Sequence, residues 1–216
     1  DGHGGFPALA LDGAGRQVDS VTSNAAHLLG TGILDPWQAS RIAERLSLPD
    51  LDAGWGLRTL SSESPRFNPL SYHGGSVWPH DTAIAIDGLA QIGADATAGR
   101  LLEGLIAAGD HFGYRLPELF GGEQRTAGSR PLRYPSACSP QAWAAGAVLF
   151  ALRAVCGIQP DVPEGVLHLS PMTPMPFARL TIEGMPLAGG KLSVHLEAQT
   201  LHVLEAPDDL EVVVHQ

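Results

Sequence analysis

The chain has 216 residues, 44% of them hydrophobic, and a formal net charge of −10 from 13 basic and 23 acidic side chains. That is enough apolar material for the core of one sizeable globular domain or two small ones. The acidic balance is scattered along the chain, which argues against nucleic acid and anionic membrane surfaces as partners and favours a neutral one.

Phe6 to Val18 reads as a β-hairpin turning at Asp12-Gly-Ala-Gly15. Ser20 to Asn24 offers N-caps for a short helix through His27 and Leu29, stopped near Gly30 or Gly32. Asp35-Pro36 opens a second helix with Trp37, Ile42 and Leu46 on one face and Arg41, Glu44 and Arg45 opposite. Leu48 to Tyr72 is irregular, and a connection of that length tends to be functional. A nearly all-apolar helix then runs from Pro79 to Ile92, closed by Gly93, and Asp95 caps another whose stripe is Ala98, Leu101, Leu102, Leu105, Ile106 and Phe112. Gly113 to Cys138 forms a second long loop. The helix after it, Gln141 to Cys156, presents small residues all round and is predicted to be buried on every side. Buried and amphipathic helices thus alternate, as in an inner and an outer layer. From Val166 the period becomes two, with strands at Val166–Leu169, Leu180–Ile182, Leu192–Leu196, Leu201–Leu204 and Leu210–Val214, and Met172, Met175 and Phe177 packing between layers.

The chain opens at Asp1 and enters Gly-His-Gly-Gly-Phe, neither a signal peptide nor a recognisable tag, and reads as the C-terminal part of a longer protein. Localisation signals would lie upstream; a cytoplasmic place is expected. No apolar run reaches the roughly 18 residues of a membrane span. Cys138 and Cys156 have no metal-ligand or disulfide-framework spacing and read as packing residues.

Both long loops precede a buried helix and should open on the same end of the helical layer. The first supplies Trp55, Arg58, Tyr72, His73, Trp78, His80 and Asp81; the second supplies Arg115, Glu118, Tyr134, Gln141 and Trp143. Aromatic, imidazole, guanidinium and carboxylate groups in that mixture suit a sugar, whose ring faces stack on aromatics while its hydroxyls take hydrogen bonds. Each residue has a plainer reading. Asp81 falls in the first turn of its helix, where the dipole favours a carboxylate. Trp55 and Trp143 could be packing residues. His73, His80 and Asp81 have no regular metal-ligand spacing. Glu118 sits between Leu116 and Leu119-Phe120, so it is either functional or paired with Arg115 or Arg125. Cys138 has no paired base that would mark a nucleophile.

Four ordered motifs, Gly54-Trp-Gly-Leu-Arg-Thr-Leu-Ser61, Tyr72-His-Gly-Gly-Ser-Val-Trp-Pro-His-Asp81, Arg115-Leu-Pro-Glu-Leu-Phe120 and Tyr134-Pro-Ser-Ala-Cys-Ser-Pro-Gln-Ala-Trp-Ala-Ala145, resemble the C-terminal half of bacterial amylo-α-1,6-glucosidase, glycogen debranching enzyme-like proteins. The resemblance runs from about Phe6 to the C-terminus. It implies a mainly α fold, part of an (α/α)6 toroid of the six-hairpin glycosidase kind, over residues 1–160 with the N-terminal β-hairpin, and a small β-cap over 161–216. It also implies inverting hydrolysis of α-glucosidic, α-1,6 linkages in glycogen-like or oligosaccharide substrates, with Glu118 as the general base. The general acid would be an aspartate in the missing N-terminal half of the same catalytic domain. Trp55, Arg58, Tyr72, His73, Trp78, His80, Asp81, Arg115, Gln141 and Trp143 would bind the carbohydrate substrate, with no metal or cofactor. A hydrolase of another small α-glycoside, or a non-catalytic carbohydrate-binding fragment, is the alternative.

Overall fold

The computed structural model describes residues 5–215, so the reading of the chain's first four residues lies outside it. The chain divides into two compact units, Asp1–Ala151 and Leu152–Gln216.

The first unit begins with a hairpin of Ala10–Leu11 (β1) and Gln17–Val18 (β2), whose turn is closed when Asp12 Oδ1 accepts the N–H groups of Ala14 at 2.8 Å and Arg16 at 2.9 Å. A short 3-10 helix follows at Ser23–Leu28. The first α-helix, Pro36–Leu46 (α1), starts from a complete capping box: Asp35 Oδ1 accepts from Gln38 N–H at 2.8 Å and Gln38 Oε1 from Asp35 N–H at 3.0 Å. It buries Ala39, Ile42, Ala43 and Leu46. Trp37, predicted on that face, is 62% exposed. It lies five positions before Ile42, which at 3.6 residues per turn carries it about 140° round the helix.

Pro79–Gln91 (α2) and Asp95–His111 (α3) form a helical hairpin through Gly93. The first of them is buried nearly all round because the 3-10 helix covers one side and α3 another. A Cβ on Gly88 would stand 2.6 Å from Leu29 Cβ, so glycine sets how closely the 3-10 helix approaches. Gly104 does the same between α3 and the backbone of Gly54 and Trp55. The two long loops are tied to each other by backbone bonds: Val77 and Phe120 exchange both at 2.9 and 3.0 Å, Gly122 N–H reaches Pro69 O at 3.0 Å, and Arg125 N–H reaches Ala53 O at 2.8 Å.

Ala142–Val155 (α4) buries Ala144, Ala147, Ala151, Ala154 and Val155 but leaves Trp143 47% and Leu149 65% exposed. The prediction of burial on every side is corrected. Small residues permit close approach of a neighbour, and one i, i+3, i+7 stripe receives it.

The second unit holds two three-stranded sheets. In one, Ile158–Asp161 (β3) pairs antiparallel with Val166–Leu169 (β4), which pairs parallel with Glu211–Val214 (β8). In the other, Arg179–Leu187 (β5), Gly190–Glu197 (β6) and Thr200–Glu205 (β7) form an antiparallel meander. Ile158, Leu167, Leu169, Met172, Met175, Leu192, Val194 and Leu196 are buried. The β3 strand has no period-two signal because Pro160 and three exposed positions interrupt it.

The fold is therefore not mainly α, and the expectation of a partial toroid with a small β-cap is corrected. The described residues contain five helices, counting the 3-10 helix, at 29% of the chain, against 21% strand in three small sheets. The helical periodicities are real, but about thirty residues without regular structure precede α2 and about thirty separate α3 from α4, so much of the first unit is not helical. Among the described residues no helix is long and apolar enough to cross a membrane.

Candidate functional site

The first unit carries a cleft of about 510 Å3 lined by residues that include Thr22, Asn24, His27, Thr59, Tyr72, His73, Trp78, His80, Asp81 and Trp143. Its wall is aromatic. The His73 ring stacks parallel to Trp78 at 5.4 Å, and His80 stacks parallel to Trp143 at 4.3 Å. Trp78 meets Tyr72 edge-on at 4.7 Å, and Tyr72 meets Tyr134 at 5.9 Å. The Trp78 indole is held in place because its Nε1–H donates to Tyr72 O at 2.9 Å and to Ser76 Oγ at 3.1 Å. Flat faces with polar edges are what a sugar ring needs: apolar stacking on C–H faces and hydrogen bonds at the rim.

Glu118 reaches this wall from the other loop. It lies two residues before Phe120, so the Val77–Phe120 backbone pair brings it beside the Tyr72 segment. The Tyr72 hydroxyl donates to Oε1 at 2.7 Å, Cys138 N–H donates to Oε2 at 3.3 Å, and Glu118 N–H donates to Cys138 O at 2.9 Å. The Tyr72 hydroxyl first, and Cys138 N–H after it, hold the carboxyl below its ordinary range against the opposing effect of burial. The same bond pushes the Tyr72 phenol up to about 12, so it stays a donor. A carboxylate offers about four lone-pair sites, and these two bonds leave others unused.

Asp81 lies in the first turn of α2, but its Oδ1 is engaged by a residue outside the sequence reading, His27 of the 3-10 helix, whose Nε2 lies at 2.6 Å. That bond raises the His27 imidazole above its ordinary value. Burial lowers His80. Nothing in a run of Asn-Ala-Ala-His-Leu distinguishes a site histidine from an ordinary helical one; only the fold brings 54 residues' separation down to contact.

Four predicted residues stand elsewhere. Arg58 is buried and its guanidinium is used internally: Nε donates to Gly122 O at 2.6 Å, Nη1 to Pro49 O at 2.5 Å and Nη2 to Gln124 Oε1 at 2.8 Å. It fastens the two loops together. Trp55 lies under the Arg125 guanidinium at 4.8 Å and borders a separate hollow with His111 and Arg130. Arg115 and Gln141 border a third, apolar hollow with Leu105 and Leu149. Glu118 is thus held by Tyr72 and Cys138, with Arg115 exposed to solvent and Arg125 over Trp55. Cys156 is buried, which pushes its thiol up to about 12, whereas Cys138, expected to pack, is exposed. Among the described residues no group of three or more His, Cys, Asp or Glu could hold a metal ion.

A buried, hydrogen-bonded carboxylate beside stacked aromatic rings suits a sugar ligand. Residues 1–115 match the mannosylglycerate hydrolase MGH1-like glycoside hydrolase domain, more than half of the chain. The chain belongs to that glycoside hydrolase family. The match includes Tyr72 to Asp81 and ends three residues before Glu118. Among solved structures, an uncharacterised conserved protein from Thermus thermophilus is 24% identical with a TM-score of 0.51, covering 65% of this chain and 32% of that one. A GH63 mannosylglycerate hydrolase from the same organism, in complex with Tris, is 25% identical with a TM-score of 0.49 over the same shares. The likeness to the first is one of fold, and the chain spans about a third of the length of both. No curated protein matches it.

Proposed function

We propose that this chain contributes the sugar-binding wall and the general base of an inverting α-glycoside hydrolase. The observation that carries the reading is Glu118: a buried carboxylate kept ionised by Tyr72 and Cys138, with lone pairs to spare, next to an aromatic cleft. Membership of a glycoside hydrolase family supports the reaction class. In the step, Glu118 takes a proton from water as the water oxygen bonds to the anomeric carbon. The glycosidic C–O bond breaks, and an acid supplied by another part of the enzyme protonates the leaving oxygen. A small α-glycoside, such as a sugar joined to glyceric acid, is the substrate class that the family's description favours. The α-1,6-glucosidic reading rests on the four ordered motifs and is the second candidate.

The test is turnover by the full-length protein and its Glu118→Gln variant on mannosylglycerate, isomaltose, maltooligosaccharides and limit dextrin, with the product anomer read by NMR. A general base contributes typically 10²–10⁴-fold. Loss on that scale in a folded variant, with inverted product from the unmodified protein, supports the assignment; unchanged turnover removes Glu118 from the mechanism. The substrate turned over separates the two classes.

A further inference from the structure

Two polar atoms of cleft-lining side chains have no use among the described residues. Asp81 Oδ2 and His80 Nδ1 are buried and find no hydrogen-bond partner among the described residues. Buried polar groups are satisfied in all but a few cases, and leaving one unmade costs about 1–3 kcal/mol, so each exception asks for a reason. Both atoms belong to consecutive side chains of one helical turn, and both side chains line the cleft. Both side chains are braced by neighbours. The His80 ring is fixed against the Trp143 face at 4.3 Å. The Asp81 carboxylate is fixed by His27, whose Nε2 must donate, since an ionised carboxylate only accepts. His27 itself lines the cleft from the 3-10 helix, and the close approach of that helix at Gly88 sets its reach.

We propose that His27 is a positioning residue: it orients Asp81 so that Asp81 Oδ2 and His80 Nδ1 together bind neighbouring hydroxyls of a neutral pyranose unit whose face lies against the exposed Trp143 ring. This rests on the reading of the cleft as the sugar site of a glycoside hydrolase. An acceptor-only oxygen requires a donor from the ligand, and an imidazole nitrogen one residue away takes a donor or an acceptor according to its tautomer. A vicinal diol supplies both. A carboxylate-bearing sugar would put a second negative charge against Asp81, so the unit bound here is uncharged.

The test separates hydroxyl recognition from folding and from catalysis. The full-length protein is titrated calorimetrically with methyl α-mannoside, methyl α-glucoside and the monodeoxy analogues of each. In the unmodified protein at least one deoxy position should weaken binding by roughly tenfold or more, as expected for a hydrogen bond to a charged group. His27→Ala and Asp81→Asn should erase most of that penalty while leaving the other deoxy positions as they were. His27→Gln, which keeps a donor at similar reach, should restore it. A flat deoxy profile in the unmodified protein, no binding of either glycoside, or a uniform loss across all sugars in His27→Ala and His27→Gln alike overturns the proposal. Glu118→Gln should keep the deoxy profile intact. If it also keeps full turnover while the profile behaves as expected, the assignment of the base has failed and that of the hydroxyl site stands.

Discussion

The hydroxyl of Tyr72 and the carboxylate of Glu118, 46 residues apart, meet at 2.7 Å and join the two long loops at the cleft wall. The bond favours the ionised form of Glu118 and is the first cause of its lowered pKa. Tyr72→Phe removes the donor and keeps the ring, so the pKa of Glu118 should rise. A base acts only when ionised, and the acid limb of the kcat/KM profile should therefore move to higher pH. At neutral pH a loss of roughly three- to tenfold is expected from one hydrogen bond. A pH–rate series on the variant and the unmodified protein checks this; an unmoved acid limb would mean that Glu118 is not the group titrating there.

His27 and His80 should bias stability with pH in opposite directions. The Asp81 bond raises His27, so its contribution is fully present below the unfolded value near 6.5 and is lost as pH rises through the higher folded value. Burial lowers His80, so the folded state resists its protonation and loses stability as pH falls below that same unfolded value. Urea midpoints measured between about pH 5 and 9 should fall less on the alkaline side in His27→Gln than in the unmodified protein, and less on the acid side in His80→Gln. Parallel curves for all three proteins would contradict the His27–Asp81 pairing.

Much of the helical content was legible because caps and periodicity are local. Asp35-Pro36 with Gln38 encodes a capping box, and the start of α2 is marked by Pro79 in its first turn, with no side-chain cap from Trp78. What periodicity cannot report is which neighbour covers a face. The α4 stripe reads as buried all round, yet Trp143 is half exposed, and that exposure lets its ring line the cleft. Arg58 shows the same limit: its sequence setting resembles a site arginine, while Gly122 O, Pro49 O and Gln124 Oε1 inside the protein take three of its donors. His27 has no local signal at all, since its partner is set by the packing of the 3-10 helix on α2.

Gly122 should be among the least replaceable residues of the first unit. A Cβ there would lie 1.7 Å from Gly75 O and 2.9 Å from Gly75 C, and that neighbour is backbone that no rotamer change can move aside. Gly122→Ala should cost about 1–3 kcal/mol, the usual range for overpacking, and should reduce sugar affinity by prising the Glu118 loop from Tyr72. Gly146 is the control. A Cβ there meets nothing within 4 Å on an exposed stretch of α4, so Gly146→Ala should stabilise by about 0.5–1 kcal/mol. Denaturant midpoints for the two variants should shift in opposite senses.

The β5–β6 hairpin carries a correctable strain. Leu187 pairs with Gly190 across a two-residue turn in which Ala188 has φ 48° and Gly189 φ 79°. Both central residues are left-handed, the requirement of a type I′ turn, which Asn-Gly fills best. Alanine in that region has its Cβ too close to the following carbonyl, whereas asparagine adopts it at lower cost. Ala188 is exposed, so a longer polar side chain meets no packing objection. Ala188→Asn should therefore stabilise the second unit by about 0.5–1 kcal/mol, a fraction of the left-handed penalty for an ordinary residue. Ala188→Val, β-branched at the same position, should destabilise it instead. Hydrogen exchange of the β5 and β6 amides reads the effect on this unit directly: slower exchange in Ala188→Asn and faster in Ala188→Val is expected. The reverse order would show that the turn does not hold the left-handed conformation in solution.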